Sequence, residues 1–353
     1  MNEKVSAHFA EQAMYCEMFG SPFTAQLIAC MNEDLAAGGP VADLVGAWPT
    51  NPRADALALR LTGALHAAAL TKRDPALAAL YPAQNPSWRM DDVWPAARAF
   101  LERERTWVSG FIRSAPQTNE TRRSITLLAG FLTFAQTWSG PIDTLEIGAS
   151  AGLNLNWDRF AYRTSSWSWG EASPVVIDTD WNGNPPPIGP LTVRNRAACD
   201  LNPLDVRDDA QRLQLKSYIW ADQPDRLARF DGAVALALRS DVRVERADAA
   251  EWLAHKLAAR AQDAATIVYH SVFLQYPPRE ARSAIIAAIE STGAKATESA
   301  PLAWVRLEPE ALLDGVQDSP RMVADLVTWP GGHRRVIAYT DGHVRAVYAG
   351  AQT

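Results

Sequence analysis

The chain has 353 residues, 48% of them hydrophobic and 21% charged, with a formal net charge of −6. Such usage gives a sizeable core, excludes a disordered or fibrous chain, and offers no basic field for unspecific nucleic-acid binding. Three scattered cysteines (Cys16, Cys30, Cys199) make neither a disulfide framework nor a zinc motif, so no metal is expected.

The first 140 residues read as helices. Val5–Phe19 has helical apolar spacing and stops at Gly20; Ser21–Pro22 then gives an N-cap with proline at the first helical position. That run reaches Ala37 and ends on Gly38–Gly39. Pro52 opens an Ala/Leu-rich helix to about Leu70, in which His66 is expected to pack between helices. Asp74–Pro75 starts a short one, and Asp91–Arg113 and Asn119–Trp138 are two longer amphipathic candidates. The N-terminus has no apolar signal core, and no apolar run nears the ~18 residues that span a bilayer. A cytoplasmic protein with no membrane or nucleic-acid partner is expected, its oligomeric state left open.

After Gly140–Pro141 strand and helix signals alternate. Ile142–Ile147 is the first strand, and Gly152–Phe160 starts its helix. Tyr162–Val193, rich in Trp, Pro, Gly and Asn, reads as an insertion with a strand-like piece at Pro174–Asp178. Its Trp167, Trp169 and Trp181 either wall a cleft or pack the insertion down. Arg196–Leu201, Val242–Arg246, Thr266–His270 and Leu302–Leu307 are the next strands, with helices over Pro203–Arg239, Ala249–Arg260 and Pro278–Ser291. The last segment holds two β-rich runs around Asp341–Gly342, a hairpin signal. Alternating units imply an α/β fold with a mostly parallel sheet and an antiparallel C-terminal hairpin. A helical domain over residues 1–114 would precede it, above the cleft of an α/β domain at 115–353.

The stretch Asp143–Phe160, DTLEIGASAGLNLNWDRF, carries the chemistry. A strand ends on an acid, a glycine turn follows, and a helix start presents unpaired N–H groups to a ligand. The dinucleotide fingerprint wants a glycine where Leu153 stands, which disfavours NAD. Glu146-x-Gly148-x-Ser150-x-Gly152 instead resembles the first motif of class I S-adenosylmethionine-dependent methyltransferases, with Ser150 replacing the middle glycine. That resemblance implies a Rossmann-like methyltransferase-type sheet. It also implies that Glu146, Gly148, Ser150 and Gly152 face the methionine end, Asp200 the ribose and Asp248 the adenine of S-adenosylmethionine. Asp200 lies well beyond the ~20 residues usual for a Rossmann-type ribose acid; the insertion accounts for the excess. Asp248 is also the first residue of a D-x-x-E capping box with Glu251. His270, closing the fourth strand, is the candidate general base toward a small-molecule acceptor, or else a satisfied structural histidine.

A serine hydrolase is the alternative. G-A-S-A-G matches the nucleophile elbow, with Ser150 as nucleophile and Asp318 or Asp325 and then His333 as partners. Helical residues precede this turn where a hydrolase has strands. A methyltransferase-fold module that binds without catalysis is the third possibility.

The whole chain also resembles a bacterial family catalogued as a domain of unknown function. The resemblance rests on AEQAMYCEMFGSPFTAQLIACMNEDLAAGGP, LALRLTGALHAAAL, LEIGASAGLNLNWDRF, AACDLNPLDV and VYHSVFLQY. It implies one architecture that includes the helical N-terminal part, and it implies no substrate. Where similar proteins often carry Gly-Asp-Ala, this chain has Ala247-Asp248-Ala249.

Overall fold

Proline and glycine punctuate the helices at the expected places. A computed structural model describes residues 3–117 and 119–350, which fall into two compact units: 3–117 with 207–228, and 119–206 with 229–350.

In the first unit the helices Pro22–Ala36, Pro40–Val45 and Pro75–Leu80 all begin on proline, whose fixed φ and missing N–H suit a first turn. Asp74 caps the last of these by accepting from Leu77 N at 3.0 Å. The helix Leu57–Leu70 is buried on nearly every side, as expected of one surrounded by others. Phe9, Leu27, Ile28, Leu61, Leu65 and Phe100 form the centre of the core. The stretch expected as one helix over Asp91–Arg113 is two, Met90–Arg103 and Arg105–Phe111, because Glu104 leaves the helical region at φ −103°, ψ 26°. The segment 207–228 returns to this unit and adds Trp220 and Ala221 to its core. Asp222 Oδ2 accepts from Phe23 N at 2.9 Å, and its Oδ1 takes the Ser21 hydroxyl, so it caps the Pro22–Ala36 helix.

Among the described residues the strands lie in the second unit: β1 Ile142–Ile147, β2 Ala161–Arg163, β3 Ser168–Trp169, β4 Val176–Asp178, β5 Asp180–Asn182, β6 Val193–Asp200, β7 Val244–Arg246, β8 Ala265–Ser271, β9 Leu302–Pro309, β10 Met322–Trp329, β11 His333–Thr340 and β12 Ala346–Ala349. The main sheet has nine strands in the order β5-β12-β11-β10-β9-β8-β1-β6-β7. From β9 to β7 all neighbours are parallel, while β9, β10, β11 and β12 follow one another antiparallel. The chain steps from β1 outward to β6 and β7, then returns to β8 on β1's other side. The switch point therefore lies between β1 and β8, where open sheets of this kind bind ligands at the carboxyl edge.

Side chains alternate between the two faces of the sheet. Leu145, Ile147, Val268 and Trp304 pack with Trp252, Leu253, Ile285 and Ile289 of the helices Ala249–Ala258 and Arg279–Gly293. Glu146 and Tyr269 face the other way, where Phe131 of the helix Ser124–Phe134 meets Tyr269 edge-on at 5.4 Å.

Three features of this unit depart from the sequence expectation. The insertion forms a small sheet, β3-β2-β4, and sends β5 to the end of the main sheet beside β12. Strand β10, which no sequence signal singled out, pairs along its whole length with β9. The α-helix expected over Gly152–Phe160 is a 3-10 segment, Leu153–Arg159, kinked at Asn156. The hairpin around Asp341–Gly342 forms as β11 and β12, with Ala338 opposite Ala349. Among the described residues no helix is long and apolar enough to cross a membrane.

Candidate functional site

The turn after β1 alternates left-handed residues: Gly148 at φ 67°, Ser150 at φ 54° and Gly152 at φ 71°. Glycine is required at Gly148 for a second reason. A Cβ there would lie 2.1 Å from Phe273 Cδ2, inside the ring that rests on the turn. Ser150 adopts the same backbone region with a side chain, which disfavours it by roughly 1–2 kcal/mol.

Asp200, at the end of β6, holds the turn. Its Oδ2 accepts from Ser150 N at 2.8 Å, its Oδ1 from Asn202 N at 2.8 Å, and its carbonyl from Ala247 N at 3.1 Å. One residue thus ties together the loops after β1, β6 and β7. Asp248 Oδ1 accepts from Ala250 N at 2.9 Å and Glu251 N at 3.3 Å, the N-cap of the helix Ala249–Ala258. Glu146, Gly148, Ser150, Gly152, Asp200 and Asp248 accordingly share the carboxyl edge of β1, β6 and β7.

Glu146 is 3% exposed, with Tyr269 as its cross-strand neighbour. The Tyr269 hydroxyl lies 3.1 Å from Glu146 Oε2. Burial pushes the Glu146 carboxyl up to about 8, more than the tyrosine bond pulls it down. Burial, with Glu146 beside it, also raises the Tyr269 phenol well above its ordinary value.

Above this face runs the 3-10 segment. Leu153 N, the first donor after the turn, is taken by Asn119 Oδ1 at 2.8 Å, and Arg196 grips Asp158 at 2.8 and 2.9 Å. Asn154 and Asn156 are buried, and among the described residues neither side-chain oxygen has a hydrogen-bond partner. Unmet buried acceptors are uncommon. These two lie just beyond the glycine turn.

His270 sits on the opposite face from Glu146 and is 0% exposed. Its Nδ1 lies 2.7 Å from Glu308 Oε1, and its Nε2 accepts from the Trp304 indole at 3.0 Å. Both ring nitrogens are engaged inside the protein, so a proton cannot pass to a ligand without rearrangement.

The hydrolase constellation is not assembled. Asp318 precedes β10 at the carboxyl edge, but His333 opens β11 at the amino edge, where Thr328 pairs with it. That is roughly 20 Å along the strands from the Ser150 edge. Asp325 is buried, held by Arg306 at 2.6 and 3.0 Å and by Arg334.

Elsewhere, His66 packs in the first unit with Nδ1 3.1 Å from Ser217 O, and burial lowers it to about 4. Trp167 and Trp181 meet edge-on at 5.1 Å, both buried, so they pin the insertion down. Among the described residues no group of three or more His, Cys, Asp or Glu is placed to hold a metal ion.

Sequence reasoning missed Tyr269, Glu308, Phe273 and the two asparagines. Strand alternation in I-V-Y-H-S held the available signal: adjacent residues face opposite sides, so Tyr269 and His270 could not both join Glu146.

The fold and site define a class: a mixed α/β protein with a large, mostly parallel sheet, a helical N-terminal part, and a glycine turn with acids at the switch-point edge. Within that class the chain belongs to the bacterial family described as "Uncharacterized protein conserved in bacteria (DUF2332)", whose model matches residues 6–348. No curated protein and no solved structure matches the chain.

Proposed function

We propose that the carboxyl edge of β1, β6 and β7 binds S-adenosylmethionine in the manner of class I methyltransferases, for methyl transfer to a small-molecule acceptor. The observation that carries this reading is that three acids, Glu146, Asp200 and Asp248, lie at the carboxyl edge of β1, β6 and β7, where Asp200 holds a left-handed glycine turn. In this reading the backbone of Gly148–Gly152 lines the methionine end, Asp200 meets the ribose hydroxyls and Asp248 the adenine side. The cofactor would supply the activated methyl group. The protein's residues would hold it in line with the acceptor and exclude water. In this reading the Phe273 ring, which rests on Gly148, leaves before the ligand reaches the turn.

The test is a thermal-shift series with S-adenosylmethionine, S-adenosylhomocysteine, NAD and buffer. An adenosyl ligand at ~100 times its Kd stabilises by about 2.7 kcal/mol, which raises Tm by several degrees for a chain of this size. Asp200→Ala should abolish that shift. No shift with either adenosyl ligand in the wild type sinks the reading.

One observation favours the serine hydrolase as a second reading. Ser150 stands in the positive-φ backbone expected of a strained elbow. Labelling of Ser150 by a fluorophosphonate probe would promote it, and an unlabelled protein removes it.

A further inference from the structure

Glu308, at the end of β9, is 0% exposed. Its Oε1 receives His270 Nδ1 at 2.7 Å, Phe273 N at 2.8 Å and Leu274 N at 3.0 Å. An indole N–H can only donate, so the Trp304 bond makes His270 Nε2 the acceptor and leaves the proton on Nδ1. Three donors therefore converge on one carboxylate oxygen, and two of them are backbone amides of the loop that follows β8.

That loop is bent sharply. Val272 has φ 55°, a region a β-branched residue rarely occupies, and its N–H reaches Leu307 O at 2.7 Å. The bend carries the Phe273 ring onto Gly148, while Tyr276 is left 74% exposed. A positive-φ residue, a ring over the glycine turn and two amides held by the buried Glu308 fall within Val272–Leu274, and the Leu274 side chain is itself buried in the core.

We infer that Val272–Tyr276 is a latched plug: Phe273 occupies the face of Gly148 that a ligand must reach, and Glu308 is the positioning residue that holds it there. This rests on the turn being a ligand site, but the opening itself is measurable without any ligand. The two amide bonds to Glu308 fix the backbone that carries the ring over Gly148, so releasing them frees that face of the turn. Glu308 and the imidazole then act on binding through the loop and not through contact with the ligand.

The experiment is hydrogen exchange resolved to single amides on the full chain. Phe273 and Leu274 should exchange by local opening, about tenfold or more faster than Val268 and Tyr269 of β8, since movable loops belong to the low-stability end of a structure. Glu308→Gln keeps size and one acceptor but removes the charge that strengthens all three bonds. It should speed exchange at Phe273 and Leu274 about tenfold further and leave Val268 and Tyr269 unchanged. Phe273→Ala should bind S-adenosylhomocysteine several-fold more tightly than wild type.

Exchange at Phe273 and Leu274 as slow as in β8 overturns the plug, and the wild type alone decides this if Glu308→Gln fails to fold. Equal affinity of wild type and Phe273→Ala overturns it as well. If neither protein binds S-adenosylhomocysteine, the cofactor reading fails, while the exchange data still decide the plug.

Discussion

At Glu146 burial raises the carboxyl, the Tyr269 bond lowers it and the nearby Asp200 charge raises it further, so burial prevails. The unfolded chain releases this proton near 4.5, whereas the folded protein keeps it until about 8. Between those values the native state binds more protons, so this group's contribution to stability falls as pH rises. The slope is at most about 1.4 kcal/mol per pH unit. Glu146→Gln removes the titration and keeps the hydrogen-bonding shape. Thermal unfolding from pH 5 to 8 should show the wild type losing stability relative to the variant; parallel curves would refute the buried, protonated acid. His66 acts in the other sense. Its folded value near 4 lies below its ordinary 6.5, so stability is lost as pH falls through that window and the buried imidazole must charge. His66→Asn, which can still donate toward Ser217 O, should flatten the acid side of the same profile. The sequence pointed to Glu146 because an acid inside an apolar strand is rarely idle. A strand-end position alone does not assign His270 to the other face; the alternation of side chains along the strand does.

At the scale of elements, Asp200 joins three loops through its two carboxylate oxygens and its carbonyl. Asp200→Asn places an NH2 against one of two backbone N–H groups, and the unmade bond should cost about 1–3 kcal/mol. Urea unfolding would read this as a lower midpoint with unchanged slope; an unaltered midpoint would mean that the turn holds without its acid. Elements made of long apolar runs were legible: β1 lies at its expected residues, and β8 and β9 differ only at their ends. Strand β10 was hidden because Asp325 interrupts its apolar run. That acid is tolerated since Arg306 and Arg334 reach it from the neighbouring strands β9 and β11, a pairing invisible along the chain. The 3-10 segment was misread for a related reason. The turn matched a strand-turn-helix template, but Asn119 takes the amide of Leu153, and Asn156 leaves helical geometry at φ −101°, ψ 23°. Template spacing did not register a cap supplied from 34 residues away.

At the scale of the whole molecule, the division between units does not follow the chain. The helical domain was expected to end near residue 114 and the remainder to build the α/β part, although the helical pattern itself runs on to about residue 140. Yet residues 207–228, which sit between β6 and β7 in sequence, belong to the helical unit. No local pattern marks such a return, since a helix reads the same whichever core it serves. What assigns it are long-range contacts: Trp220 in the core, Ser217 O beside His66, and Asp222 on the start of the Pro22–Ala36 helix. A cap of this kind is worth ~1 kcal/mol, more when a buried donor is stranded without it. Asp222→Ala should therefore loosen a helix nearly 200 residues away while sparing the sheet. Hydrogen exchange of the full chain checks this: amides of Phe23–Ala25 should exchange several-fold faster in the variant, with Ala265–Ser271 unchanged. Faster exchange in β8 as well would mean that the two units unfold as one, and unchanged exchange at Phe23 would mean that the returning segment is not what anchors this helix.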